Sequence, residues 1–378
     1  MAPQSTSAPT LVDGPITLRH PQESDVQGSW EQCQDPLSQQ WTTVPIPYSH
    51  ADARDFVLGF VPAAWESDTE WGFIVEAEGR YAGHITLRNE GSRRAELAYG
   101  SHPWVRGTGH VEHALRMLLD WGFREKDLAT VIWYANVGNW ASRRVAWKLG
   151  FAFEGTLRQW LPHRGELRDA WVGTLLAGDP REPQGRWIDD AVLEGDGVRL
   201  RPFAERDADR VVEACREDRT RRWLAELPSP YTPEDALSFI RGRTGLRASG
   251  RGLSWAVVDP ATDELLGSVG IFDLPDDLSS GEVGYWVHPD ARGRGVMTAA
   301  VGVVLRHAFE SLGVQRVKAY AAHGNAASRH VLTASGMTEQ GVERLGTVVA
   351  EGRVDAVLYD VLRGEWARRM REPLAGPA

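Results

Sequence analysis

Residues 102–151 and 288–337 are one segment written twice. His102-Pro103 corresponds to His288-Pro289, Arg106-Gly107-Thr108-Gly109 to Arg292-Gly293-Arg294-Gly295, Asn139 to Asn325 and Ser142 to Ser328, each pair 186 residues apart. The correspondence continues toward the N-terminus with a slowly drifting register. Arg19, Asp25, Cys33 and Trp41 match Arg201, Asp207, Cys215 and Trp223 at a spacing of 182, Tyr48 meets Tyr231 at 183, Trp71 meets Trp255 at 184, and Glu96 meets Glu282 at 186. Small loop insertions in the second copy account for the drift. A period this long lies far outside the roughly 20 to 50 residues of solenoid repeats, so it marks a tandem domain duplication.

A chain of 378 residues gives each copy enough length to bury its own core. The reading expects a disordered N-terminus over 1–12, a first domain over 13–177, a linker over 178–195 containing Gly178-Asp179-Pro180-Arg181-Glu182-Pro183-Gln184-Gly185, a second domain over 196–370 and a tail over 371–378. The formal charge of -10 argues against a polyanionic partner such as nucleic acid, although a small anion could still bind locally. No apolar run is long enough to span a bilayer, and the first ten residues lack the apolar centre of a signal peptide, so a cytoplasmic protein is expected. Cys33 and Cys215 are equivalents in different copies and are expected to pack on a helix rather than bridge. Of the 16 tryptophans, twelve lie at or before Trp187; core and cleft-wall packing is the ordinary explanation, and an apolar substrate groove in the first copy is the alternative.

Along each copy the pattern reads as a short strand, an Asp-started helix, a proline-rich turn, a second helix, a strand meander and then β-α units, which is mixed α/β. The duplicated turn is the chemically loaded part. In Val287-His288-Pro289-Asp290-Ala291-Arg292-Gly293-Arg294-Gly295-Val296-Met297 a strand ends, a glycine-rich turn follows and a helix begins. Backbone amides and the positive end of a helix suit an anionic diphosphate, and glycine lets its oxygen atoms approach the main chain. A dinucleotide-binding reading fails because the third glycine is missing and the turn comes late in a meander. No Gly-Lys-Ser/Thr follows, so the turn is not a P-loop either.

These residues resemble motif A of the GNAT superfamily of acyl-CoA-dependent N-acyltransferases, written Arg/Gln-x-x-Gly-x-Gly/Ala. The flanks, with Pro230-Tyr231-Thr232-Pro233-Glu234-Asp235-Ala236, Gly284-Tyr285-Trp286, Asn139-Trp140-Ala141-Ser142-Arg143 and Asn325-Ala326-Ala327-Ser328-Arg329, resemble the RimJ/RimL branch of N-terminal acetyltransferases. The resemblance covers nearly all of both copies. It implies a tandem GNAT fold, with a mixed, mostly antiparallel sheet flanked by helices and splayed at the cofactor cleft. It also implies an acetyl-CoA or other acyl-CoA co-substrate and no metal. Carried onto this chain, the cofactor-binding candidates are Arg106, Gly107, Thr108, Gly109, His110, Val111 and Asn139 in the first copy, and Val287, Arg292, Gly293, Arg294, Gly295, Val296, Met297 and Asn325 in the second. Val111 and Met297 depart from the small residue that usually ends the motif.

The family chemistry is direct attack of an amine on a thioester in a ternary complex, which calls for a base and a proton source for the leaving thiolate. Strand alternation places Glu282, Gly284 and Trp286 on one face, and the position of Glu282 resembles the strand glutamate that serves as base in histone-acetylating relatives. Glu96 is its match in the first copy. A structural ion pair is the competing role for either. The usual tyrosine acid is absent, its positions being held by Ala146 and Leu332. Ser142 and Ser328 are the branch's alternative acid, with a helix N-cap as the competing role. Asn139 and Asn325 are expected to bind the cofactor amide chain or cap that helix, and Tyr359 is a further acid candidate whose competing role is packing.

Freeing a lysine amine of its proton at pH 7 costs about 4.6 kcal/mol, against about 1.4 kcal/mol for an α-amine, so a site with no strong base is better matched to a peptide or protein α-amine. Two alternatives stand beside this. One is acylation of a small amine such as an antibiotic or thiol-metabolite precursor; the other is a non-catalytic acyl-CoA-binding or assembly module. Acetyl is the expected group, with a longer chain delivered on an acyl carrier protein left open. The expected assembly is a monomer whose copies meet as a pseudo-dimer.

Overall fold

Near-continuous apolar runs such as Glu70–Ala77 and Leu253–Val258 form central strands buried on both faces in each half of the chain. The computed structural model describes residues 8–371 and divides into two units after Gln184. In the first unit the strands are β1 (Leu11–Asp13), β2 (Ile16–Arg19), β3 (Glu70–Ala77), β4 (Arg80–Asn89), β5 (Arg94–Ser101), β6 (Thr130–Asn136), β7 (Ala152–His163) and β8 (Glu166–Leu176). In the second they are β9 (Leu193–Gly195), β10 (Val198–Arg201), β11 (Leu253–Val258), β12 (Leu265–Phe272), β13 (Gly281–Val287), β14 (Arg316–Ala322), β15 (Thr338–Val349) and β16 (Gly352–Leu362). The first sheet runs β1-β2-β3-β4-β5-β6-β8-β7, and the second repeats this order as β9-β10-β11-β12-β13-β14-β16-β15.

Every pairing is antiparallel except β5 with β6 and β13 with β14, and those two are short. β5–β6 contact runs only from Arg94–Thr130 to Leu97–Trp133, and β13–β14 contact covers only Gly281–Val317 and Glu282–Lys318. Beyond these residues the strands part, and each sheet is splayed at its middle.

A helix lies against the inner face of each splayed strand. His110–Glu125 buries Ala114, Leu115, Leu118 and Leu119 at helical spacing against Ile16, Leu18, Ile85 and Leu87. Val296–His307 does the same with Met297, Ala300, Val301 and Val304 against Leu200, Val269, Ile271 and Val283. On the other face of the second sheet, helices Ala208–Arg216 and Pro233–Ala248 pack Val211, Cys215 and Ile240 with Tyr231, Ala256 and Val258. Both cysteines are free and buried. Trp65, Trp71 and Trp121 join Phe73 in the first core, so much of the tryptophan content there is packing.

The expected boundaries need two adjustments. Leu11–Asp13 pairs with Ile16–Leu18, so a strand stands where the start was expected to be disordered; residues 1–7 lie outside the described residues. Leu193–Gly195 pairs with Val198–Leu200, so the stretch assigned to the linker up to 195 ends in the second sheet. The short segments hide this because three residues carry too little alternation to read as a strand.

An arginine ties the opening strand of each unit to the helix that follows. Arg201 Nη1 and Nη2 each donate to Asp207 at 2.8 Å, and its Nε donates to Asp263 at 2.9 Å. Arg19 makes the same fork with Asp25 and reaches Glu76. Asp207 also accepts the Ala204 amide, which sets the start of the helix. With the Asp207 side chain only 4% exposed, Arg201→Met strands a buried carboxylate. The substitution is expected to lower the stability of the second unit by about 3 kcal/mol in a denaturant titration, whereas Arg199→Met, whose pair with Glu194 is exposed, should change it by less than about 1 kcal/mol.

Candidate active site

The turn after each splayed strand begins with a histidine. His288 Nδ1 accepts the Asp290 amide at 3.4 Å and caps a single helical turn, Pro289–Ala291; His102 plays the same part for Pro103–Val105. The glycines then take up left-handed conformations, φ +72° at Gly293 and +74° at Gly295, +78° at Gly107 and +86° at Gly109. A β-carbon added at any of the four would meet nothing within 4 Å, so the surface over them is open. In the second unit no backbone carbonyl among the described residues accepts from Gly293, Arg294 or Gly295, and the first amides of helix Val296–His307 have no partner within the helix. This cradle of outward N–H groups at a helix start fits a pyrophosphate. The edge of β13 beyond Glu282, including Val287, lacks a ladder partner on the β14 side and fits an extended chain bearing amides. The residues present therefore suit an acyl-CoA, whose contribution to the chemistry is an activated thioester.

The arginine that opens each turn is engaged within the protein. Arg292 Nη1 and Nη2 donate to Glu217 at 3.0 and 2.7 Å, and Nη2 reaches Thr220 Oγ1 at 2.8 Å. Arg106 likewise donates to Asp35 at 2.7 Å and to Ser38. Glu217 and Asp35 are the N-caps of helices Asp218–Trp223 and Pro36–Trp41, so each arginine pins the turn to a neighbouring helix. The Arg292 guanidinium draws the Glu217 carboxyl down to about 2. Arg294 is exposed and, among the described residues, makes no hydrogen bond or ion pair, with Asp259 and Asp290 as its acidic neighbours. Its counterpart Thr108 turns its hydroxyl back to the Val105 carbonyl at 2.8 Å and accepts the His110 amide at 3.3 Å.

The helix starts differ as well. Glu112 occupies the first turn in the first unit, held by Arg116 and Lys148, whereas the first turn of Val296–His307 carries no acid. A carboxylate there repels an incoming anion. Met297, a departure from the motif, is buried in the core and presents only its backbone to the turn, while Val111 packs partly against the first core. His110 stands 3.3 Å from Glu78.

The two strand glutamates sit at the forks. Burial raises the Glu282 carboxyl above its ordinary range, reinforced by Asp273 and opposed by Lys318, and no hydrogen bond or ion pair among the described residues engages it. Glu96 is also raised by burial, but Arg88 Nη1 donates to it at 3.1 Å and also holds Glu70. The competing ion-pair role is thus realised for Glu96 and not for Glu282.

Asparagine is the helix cap, and serine is not. Asn139 Oδ1 accepts the Ser142 amide at 3.1 Å and Asn325 Oδ1 that of Ser328 at 3.2 Å, leaving each amide nitrogen for a ligand. The serine hydroxyls instead meet tyrosines, which stand apart from the usual acid positions at Ala146 and Leu332. Tyr285 Oη lies 2.9 Å from Ser328 Oγ, and Tyr99 Oη 2.8 Å from Ser142 Oγ. Both tyrosines stand on the parting strands at the constant spacing of 186, which is the sequence signal that could have found them. Trp133 Nε1 also donates to Ser142 Oγ at 3.0 Å; the second unit has Ala319 there. Tyr359 is buried between Arg329 and Glu339, 3.1 Å from each, and serves packing.

Two outcomes follow for the turn. Gly295→Val should weaken acetyl-CoA binding more than tenfold in calorimetry by forcing a β-branched residue into a left-handed conformation, and Arg294→Ala should weaken it less, with a reduced salt dependence. Glu217→Gln should act on stability: with a depressed folded-state pKa, Glu217 stabilises the unit above about pH 4.3, and this is lost as pH falls toward 2, so the variant should show a flatter acid-unfolding profile.

An acetyltransferase (GNAT) domain model matches residues 16–152 and 198–338, more than half the chain. YdaF of Bacillus subtilis, named for ribosomal N-acetyltransferase activity, is 31% identical over 176 residues, covering 45% of this chain and 93% of its own. Spermidine N(1)-acetyltransferase of Escherichia coli is 31% identical over 104 residues, covering 27% of this chain and 56% of its own. Among solved structures, Mycobacterium smegmatis RimJ in complex with CoA-disulfide aligns with a TM-score of 0.43 and 24% identity over 49% of this chain and 91% of that one. The chain belongs to the GNAT acetyltransferase family and carries this acyl-CoA-dependent N-acyltransferase domain in tandem.

Proposed function

We propose that the second unit is the principal catalyst and moves an acetyl group from acetyl-CoA to a primary α-amine of a peptide or protein by direct attack, with Glu282 accepting the amine proton through water. The observation that carries this reading is the state of the two glutamates: Glu282 is partly buried and, among the described residues, without a hydrogen bond or ion pair where β13 and β14 part, while Glu96 is held by Arg88. A carboxylate raised by burial is a better base than an exposed one, yet it falls short of what a lysine amine requires. YdaF, named for ribosomal N-acetyltransferase activity, supports a protein amine as the acceptor class.

Ser328 and Tyr285 act on the leaving sulfur in this reading. Tyr285 is half-buried and pushed up to about 12 by desolvation, whereas an ordinary thiol titrates near 8.5. Full proton transfer from Tyr285 to a thiolate is therefore uphill by roughly 5 kcal/mol. The hydroxyl pair serves as a hydrogen-bond donor to the developing thiolate, and the proton arrives from the amine by way of solvent. Glu282 and Tyr285, three residues apart, project to opposite faces of the sheet, so base and donor approach the fork from its two sides.

The reading is tested by acetyl transfer to peptides with free N-termini, with spermidine as the small-amine comparison. Glu282→Gln is expected to lower kcat about 100-fold, while Glu96→Gln leaves it within about threefold. Equal losses from the two would end the assignment of the second unit as principal catalyst. Because the working form of Glu282 is the carboxylate, activity should decline with acidity through a pKa above the usual carboxylate range, and this acid limb should vanish in Glu282→Gln.

A further inference from the structure

The strand position directly across from each glutamate is filled differently in the two units. Phe272 on β12 is the cross-strand partner of Glu282, and Arg88 on β4 is that of Glu96. Such partners project to the same face with β-carbons about 5 Å apart. Arg88 uses this proximity to bridge Glu96 and Glu70. The ring of Phe272 instead folds back along the sheet. A β-carbon at Gly270 would collide with its Cζ, and one at Gly284 would come within 3.3 Å of its Cε2. The matching positions in the first unit are Thr86 and Ala98, which face each other as Gly270 and Gly284 do. The two glycines therefore make room for a ring that arginine, with its charge in the opposite place, does not need.

We infer that this cross-strand position decides whether the strand carboxylate is available as a base: Phe272 offers Glu282 no cation from across the strand, leaving only Lys318 on the other side, and Arg88 holds Glu96 in an ion pair. Phe272 is a positioning residue acting through Glu282, and the inference rests on Glu282 being the base of the second unit. The other charged neighbours of Glu282 are Asp273, which follows β12, and Lys318, its partner on β14; around Glu96 stand Arg88, Glu70 and Glu90. A guanidinium introduced at 272 would join Lys318 in stabilising the carboxylate and weaken it as a base. An apolar replacement would not.

The experiment compares the full chain with Phe272→Arg, Phe272→Lys, Phe272→Leu and Glu282→Gln, following thiol release from acetyl-CoA with an α-amine peptide across pH, and acetyl-CoA binding by calorimetry. Phe272→Arg and Phe272→Lys are expected to bind acetyl-CoA within about twofold of the parent. They should lose kcat toward the Glu282→Gln level, about 100-fold, with the acid limb displaced to lower pH. Phe272→Leu is expected to retain kcat within about fivefold and to keep the acid limb near its original position. An unchanged acid limb in both cationic variants, or a loss in Phe272→Leu equal to theirs, overturns the inference while leaving Glu282 as the base. Full activity in Glu282→Gln overturns the base assignment and the inference with it.

Discussion

The short parallel contact between β13 and β14, and its counterpart between β5 and β6, is the constraint on which the rest of each unit depends. Two registered residues join β13 to β14 before the strands part. Had the pairing continued, the backbone edge of β13 would be consumed by ladder bonds and the following turn would have no cleft beside it. Because it stops at Glu282, one strand offers in sequence a carboxylate at the fork, a free backbone edge, a tyrosine that reaches across to Ser328, and a glycine turn aimed at a helix start. The chemistry is laid out along a single chain segment and opened by the absence of pairing.

Duplication gives the molecule an internal comparison. The features that hold the scaffold together are the same in both units: the Arg–Asp fork at the opening strand, the buried free cysteine, the histidine that caps the turn, and the arginine that pins the turn to a helix cap. The residues around the turn and the fork differ. Among the described residues the second unit has Arg294 and Glu282 without hydrogen bonds and no acid at the helix start; the first has Thr108 turned inward, Glu112 at the helix start and Glu96 tied to Arg88. Scaffold interactions bury charge and are costly to lose one at a time, so they resist change after duplication, whereas exposed residues around a cleft can change at little cost to stability.

Much of the fold was legible in the chain. The order of elements, the turn and the equivalence of the halves follow from periodicity and glycine placement, because those patterns reflect backbone geometry that a given residue type either permits or forbids. The opening strands Leu11–Asp13 and Leu193–Gly195 were not legible, since their existence depends on a neighbour to pair with rather than on their own three residues. The candidate site was legible in its members but not in their states. Sequence placed Arg106 and Arg292 at the cofactor, yet the residues that take up their charge, Asp35 and Glu217, lie some seventy positions away along the chain.

Taken alone, the sequence determined that there are two copies of one α/β domain, that a glycine-rich turn between strand and helix is repeated, and that a glutamate, an asparagine and a serine recur around it. Tertiary structure decided what each of these can do. Glu96 is half of an ion pair because Arg88 stands across the next strand, where the second unit has Phe272, and Arg292 meets a helix cap supplied by a distant segment. Charge and hydroxyl chemistry are set by neighbours within a few ångströms, and only the folded chain chooses those neighbours.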